Sequence, residues 1–185
     1  MSAAESKSEP DLRYPIGRFR PPGEITAEER AAWIQELHDL PSNLKKAISG
    51  LTEAQLRTPY RPGGWTVLQL IHHLADSHIN MYTRVRLALT EEVPTIKPYN
   101  EAAWAELPDA HEFPTEPSLL ILEGLHARLV SLLRSLSNSD LCRTYRHPEL
   151  GEMSLQSTIA LYAWHSRHHV AHVTELRRRE GWPST

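Results

Sequence analysis

The sequence predicts an all-α protein built as a four-helix bundle. Four long stretches repeat apolar residues at three- and four-residue steps, the spacing that lines one face of an α-helix. Capping residues open three of them, and a glycine closes the last. No series of period-two alternations marks a sheet, so the helices have one another to pack against.

Residues 1–24 are polar and then proline-rich (YPIGRFRPPG), and read as an irregular arm laid over a single domain spanning 25–182. Thr26 opens the first helix through a capping box with Glu29. Trp33, Leu37, Leu40, Leu44 and Ile48 form its inner stripe, and Pro41 predicts a bend there. After the breaker RPGG, Thr66 and Gln69 make a second box. That helix runs to about Leu89 with Leu70, Ile71, Leu74, Met81 and Val85 inward. The proline-rich stretch 91–117, with at most a short helix around EAAWAEL, is expected as a long, mostly irregular crossover. A third helix spans about Ser118 to Leu136, and TYRHPELGEMS, with turn residues at Pro148 and Gly151, is expected as a small hairpin or a loop. The fourth helix runs from a Ser154 cap to Gly181.

Composition narrows the function. A chain of 185 residues, 40% hydrophobic, can bury one sizeable core. Its 20 basic residues are outnumbered by 23 acidic ones, and the one basic run, Arg177 to Arg179, sits where cations favour a helix C-terminus; nucleic acid is not an expected partner. No apolar run reaches the roughly 18 residues of a membrane span, and MSAAESKSEP lacks the basic-then-apolar order of a secretory signal. A cytoplasmic protein without a membrane partner is expected. A single cysteine, Cys142, leaves any metal to nitrogen and oxygen ligands.

Such ligands are concentrated in WHSRHHVAHVTEL, which places four histidines within eight residues of the fourth helix. Leu155, Ile159, Tyr162, Val170, Val173 and Leu176 define that helix's apolar face. His169 falls inside this face and His165 at its margin, whereas His168 shares a side with Glu175 and Arg179 and is expected to be wet. Histidines four residues apart stack one turn from each other and can reach a single ion. Buried histidines bonded to their neighbours would have the same spacing, so a metal site needs a third ligand. The second helix offers His72 or His73; His73 heads a polar stripe with Ser77, Asn80 and Arg84, which favours it modestly. Glu123-x-x-His126 on the third helix lacks the second copy that a di-iron site requires, so His126 reads as packing or as an outer neighbour of the site. Trp65 reads as an anchor before the Thr66 cap, and Tyr162 and Trp164 as wall and packing.

GGWTVLQLIHHLADSH together with WHSRHHVAHVTEL resembles the DinB/YfiT-like family, as do YPIG, TPYRPGGWTV, RLALTEEVPTIKPYNEAAW and ELRRREGW across nearly the whole chain. The resemblance implies an up-down-down-up bundle, a homodimer, and three metal ligands at His73, His165 and His169. It also implies a metal-dependent hydrolase or a bacillithiol-type thiol S-transferase acting on a small molecule. Three neutral imidazoles keep the full charge of a divalent ion and leave a fourth position open, so zinc is the expected metal, with nickel, cobalt or iron acceptable to the same donors. Such an ion lowers the pKa of bound water toward about 7 or holds a thiol as thiolate. The helix carries HSRHH and not HExxH, which disfavours peptide hydrolysis. Asp76 is a candidate for orienting a ligand or moving a proton, and Asn80 and Arg84 for binding an anionic part of the substrate. The alternative is a bundle that binds metal or a stress-response partner without turnover, which a shell closed by His172 would favour.

Overall fold

A computed structural model describes residues 11–183; residues 1–10 of the expected arm lie outside the described residues. Ten elements follow in order: α1 Ala27–Ile48, α2 Glu53–Leu56, α3 Val67–Thr90, α4 Glu101–Trp104, α5 Pro108–Glu112, α6 Glu116–Ser135, α7 Asn138–Leu141, β1 Thr144–His147, β2 Gly151–Ser154 and α8 Leu155–Glu180. The long helices α1, α3, α6 and α8 are the four expected from periodicity.

Their ends follow local chemistry. Thr26 and Thr66 make full capping boxes with Glu29 and Gln69, Ser154 caps α8, and Gly181 closes it in the left-handed conformation at φ 65°. The third long helix begins at Glu116, ahead of the expected Ser118, because Pro117 sits in the first turn, where a missing N–H costs nothing. α1 runs unbroken through Pro41. The short helices α2, α5 and α7 were not anticipated; Thr52 and Ser137 each make their own capping box at α2 and α7, and a proline opens α5.

α1 packs on α6 and α8, and α3 packs on the same two, which leaves α1 opposite α3 and α6 opposite α8. Cross-helix bonds set the directions. Arg167 meets Glu36, and ten residues on Arg177 meets the Ala47 carbonyl, so α8 runs parallel to α1. Arg134 bonds Gln35 while Glu123 pairs with Lys45, so α6 runs against α1. His72 meets Ser118 and His78 meets His126, so α3 and α6 are parallel. The order is therefore up-down-down-up. Two parallel neighbours in sequence require a connection that travels the length of the bundle, which is the work of residues 91–115. That crossover is tied to the β1–β2 hairpin, where Ile96 N–H donates to the Arg146 carbonyl at 3.0 Å and Arg146 N–H to Pro94 at 2.9 Å. Two apolar clusters fill the bundle, one around Leu37, Met81, Leu129 and Ile159 and the other around Leu44, Leu70, Leu122 and Leu176. His73 of α3 and His165 and His169 of α8 meet where these two helices pack.

Candidate metal centre

His73 lies two turns into α3, and His165 and His169 stack a turn apart on α8. His73 Nε2 is 3.3 Å from His165 Nε2, and His169 Nε2 is 3.1 Å from the same atom. Two nitrogens bound at about 2.0–2.1 Å in tetrahedral geometry stand roughly 3.3 Å apart, so the three rings already hold the spacing of a metal-bound set. The donor atoms converge within 4.8 Å of one another. The adjacent His72 is spoken for: Ser118 Oγ lies 2.7 Å from its Nδ1 and the Phe113 carbonyl 3.1 Å from its Nε2. The carbonyl can only accept, so Nε2 donates, Nδ1 accepts from the hydroxyl, and no lone pair is left for an ion.

Burial keeps the three rings neutral, the form a metal needs. Desolvation, followed by the proximity of His168, lowers His73 to about 4. Desolvation and the neighbouring imidazoles push His165 and His169 well below the ordinary histidine range.

One expectation is corrected here. His168 is not wet: it is 7% exposed, stacked on Trp164 at 4.5 Å, with Tyr14 beyond it at 6.0 Å. The arm covers the side of α8 that helical periodicity assigns to solvent, and Phe19 approaches Trp164 in the same layer. His172 is likewise buried, under the Tyr60 ring at 4.1 Å. As a result His168, His169 and His172 form a second group of imidazoles close enough to hold an ion, sharing His169 with the first. The sequence pattern also passed over His78, which is fully buried beside His165 with ring centroids 5.6 Å apart. Its position four residues after Leu74 and three before Met81 places it on the apolar stripe of α3, the signal that could have found it.

A cavity of about 530 Å³ opens beside the three imidazoles, walled by Ser77, Arg84, Tyr99 and Tyr162 and by Arg13 and Tyr14 of the arm. Arg84 is only 9% exposed, its Nε has no partner, and none of the ion pairs among the described residues includes it. It makes a long hydrogen bond to the Tyr162 hydroxyl at 3.4 Å and lies close to Tyr145 and His147. Asn80 is not brought to this cavity; its amide donates to the Asp76 carbonyl at 2.9 Å and lines a neighbouring hollow. Asp76 does not line the cavity; it is half-buried, and burial first and Asp109 second raise its carboxyl to about 6. Glu123 pairs with Lys45 at the surface, and His126 is buried and hydrogen-bonded to the Leu37 carbonyl and to His78.

The architecture is that of a helical bundle whose facing helices gather imidazoles at a candidate metal centre beside a polar cavity. The chain belongs to the DinB superfamily, whose profile matches residues 36–173. It is 58% identical to a Bacillus cereus protein named "Putative metal-dependent hydrolase" over 93% of this chain and 99% of that one. A Bacillus mycoides protein of the same description is 56% identical over the same shares. Among solved structures the chain is similar to YfiT from Bacillus subtilis, described as a probable metal-dependent hydrolase with an unusual four-helix bundle topology. The TM-score is 0.91 and the identity 48%, covering 93% of this chain and 99% of that one.

Proposed function

We propose that the chain is a divalent-metal-dependent enzyme acting on a small anionic molecule, either as a hydrolase or as an S-transferase for a low-molecular-weight thiol. The observation that carries this is the convergence of three neutral imidazole nitrogens on one wall of a cavity that also holds a buried, unpaired arginine. His73, His165 and His169 would hold the ion; zinc suits three nitrogens, and nickel, cobalt or iron would accept them. When bound, the ion supplies Lewis acidity and stabilises hydroxide or thiolate. The names of the relatives support the hydrolase reading.

The chain's own residues do the rest. Arg84 offers a planar fork of donors for a carboxylate or phosphate, and a fork buried without a carboxylate partner is matched to an anion arriving with the substrate. Tyr162 holds that fork in place. Asp76, with a carboxyl near pH 6, has the proton affinity of a general base close to neutrality, and its place off the cavity lining suits holding or passing on a proton more than touching substrate. Arg13 and Tyr14 of the arm line the same cavity and would lie beside a bound substrate.

The non-catalytic alternative has one observation in its favour, the second imidazole group at His168 and His172, which could complete a closed shell. Metal analysis of the purified chain, followed by a screen of thiols with an electrophilic acceptor and of small esters and amides, separates the readings. Turnover that tracks metal content supports the enzyme. Stoichiometric metal that depends on His172, with no turnover in either screen, supports the alternative.

A further inference from the structure

We propose that His126 and His78 form a hydrogen-bonded relay that fixes the ring orientation and tautomer of His165, anchored on a backbone carbonyl that Pro41 leaves free in α1. The inference rests on the metal-centre reading above and makes His78 and His126 positioning residues for it. Pro41 has no N–H, so the Leu37 carbonyl four residues earlier loses its intrahelical donor. His126 Nδ1 takes that place at 2.5 Å. A carbonyl can only accept, so the proton is on Nδ1 and the Nε2 of neutral His126 carries a lone pair. His78 Nδ1 lies 3.0 Å from that Nε2 and must therefore donate to it. The same logic leaves His78 with a lone pair on its own Nε2, an atom that is buried and has no protein partner.

The complementary vacancy is on His165. Its Nε2 faces His73 and His169, so a metal-binding His165 carries its proton on Nδ1, and that atom is also buried without a partner. A donor without an acceptor and an acceptor without a donor thus occupy neighbouring rings, 5.6 Å apart between centroids. Imidazole centroids at this separation can bring two nitrogens to hydrogen-bond distance, as His73 and His165 do with centroids 5.4 Å and nitrogens 3.3 Å apart. Metal-bound histidines characteristically donate their other N–H to such a neighbour, which holds the ring and raises its basicity. Desolvation keeps His126, at about 4, in the neutral form the relay requires. The relay crosses the bundle from α1 through α6 and α3 to α8.

The test reads ring protonation and metal affinity together. In the metal-free wild type, nitrogen-15 spectra of the imidazoles should show His126 and His78 both protonated at Nδ1, against the Nε2–H preference of a free imidazole. Zinc affinity, measured by chelator competition, should fall about 10- to 100-fold in His78→Phe and in His126→Phe. In His72→Phe, a buried control outside the relay, it should change by no more than about twofold, as at an independent site. An Nε2–H form at His78 or His126 would overturn the relay, as would folded His78→Phe and His126→Phe chains that bind zinc as tightly as wild type. Should either variant fail to fold, the wild-type spectra still decide. A wild type that binds no zinc would instead sink the metal centre, whatever the tautomers.

Discussion

At the scale of single residues, the histidines of α8 divide by where their nitrogens point. His168 is buried against Trp164 and the arm, and its ring is not among those that meet His73. His168→Ala should therefore keep the bound metal while costing about 1–3 kcal/mol of stability through lost packing, read as unchanged metal per chain with a lower Tm. Arg84→Lys tests the anion fork. A lysine keeps the charge and loses the bidentate geometry, so with an anionic substrate kcat/KM should drop about 10- to 100-fold, and with a neutral analogue it should hardly change. Equal losses on both substrates would remove Arg84 from substrate recognition. Asp76→Asn should retain the ion and slow turnover, and should remove any inflection near pH 6 from the rate profile, because the carboxyl that titrates there is gone.

At the scale of elements, α3 depends on the cap that also sets the height of His73. Thr66 accepts from Gln69 N–H at 3.1 Å while Gln69 reaches back to Thr66 N–H at 2.9 Å and on to the Ala105 carbonyl at 2.8 Å. Thr66→Ala should cost about 0.5–2 kcal/mol, seen as a shift of the urea midpoint with an unchanged slope. Such local devices were legible in the sequence: the two boxes, the Ser154 cap and the Gly181 stop involve groups within a few residues of one another, and periodicity gave the inward faces of the long helices. His165 and His169 were legible for the same reason. What could not be read from periodicity is coverage by a distant segment. The wheel assigns His168 to solvent because it knows nothing of Tyr14 and Phe19. The polar stripe favours His73 over His72 only modestly, and the bonds that occupy both nitrogens of His72, to Ser118 and the Phe113 carbonyl, form only once α5 and α6 are in place.

At the scale of the whole molecule, burying so many neutral imidazoles ties stability to pH. His73, His126 and His168 titrate at about 4 and His172 at about 3 in the folded chain, against an ordinary value of 6.5. Between those limits the unfolded chain binds more protons, so the metal-free protein should lose stability as pH falls from about 7 to about 4. Asp76 and Glu36 act in the opposite sense, since a raised carboxyl favours the folded state at low pH and that contribution fades as pH rises, for Asp76 through about 6, but two carboxyls are set against nine lowered imidazoles. Urea midpoints measured at pH 7.5 and at pH 5 should show the decline, and a midpoint that rises on acidification would contradict the buried neutral cluster. No helix among the described residues is long and apolar enough to cross a membrane. The homodimer implied by family resemblance remains our proposal. Exposed Phe113, Leu120 and Ile121 lie at the start of α6 and just before it, and sedimentation of the wild type against Ile121→Asp tests whether that face joins two copies.

If His73, His165 and His169 bind one ion together, X-ray absorption on the zinc-loaded chain should show three imidazole nitrogens at about 2.0–2.1 Å from zinc with a further light atom, falling to two imidazoles or to loss of the ion in His169→Ala. A wild-type spectrum with fewer than three imidazoles, or one unchanged by His169→Ala, would contradict it.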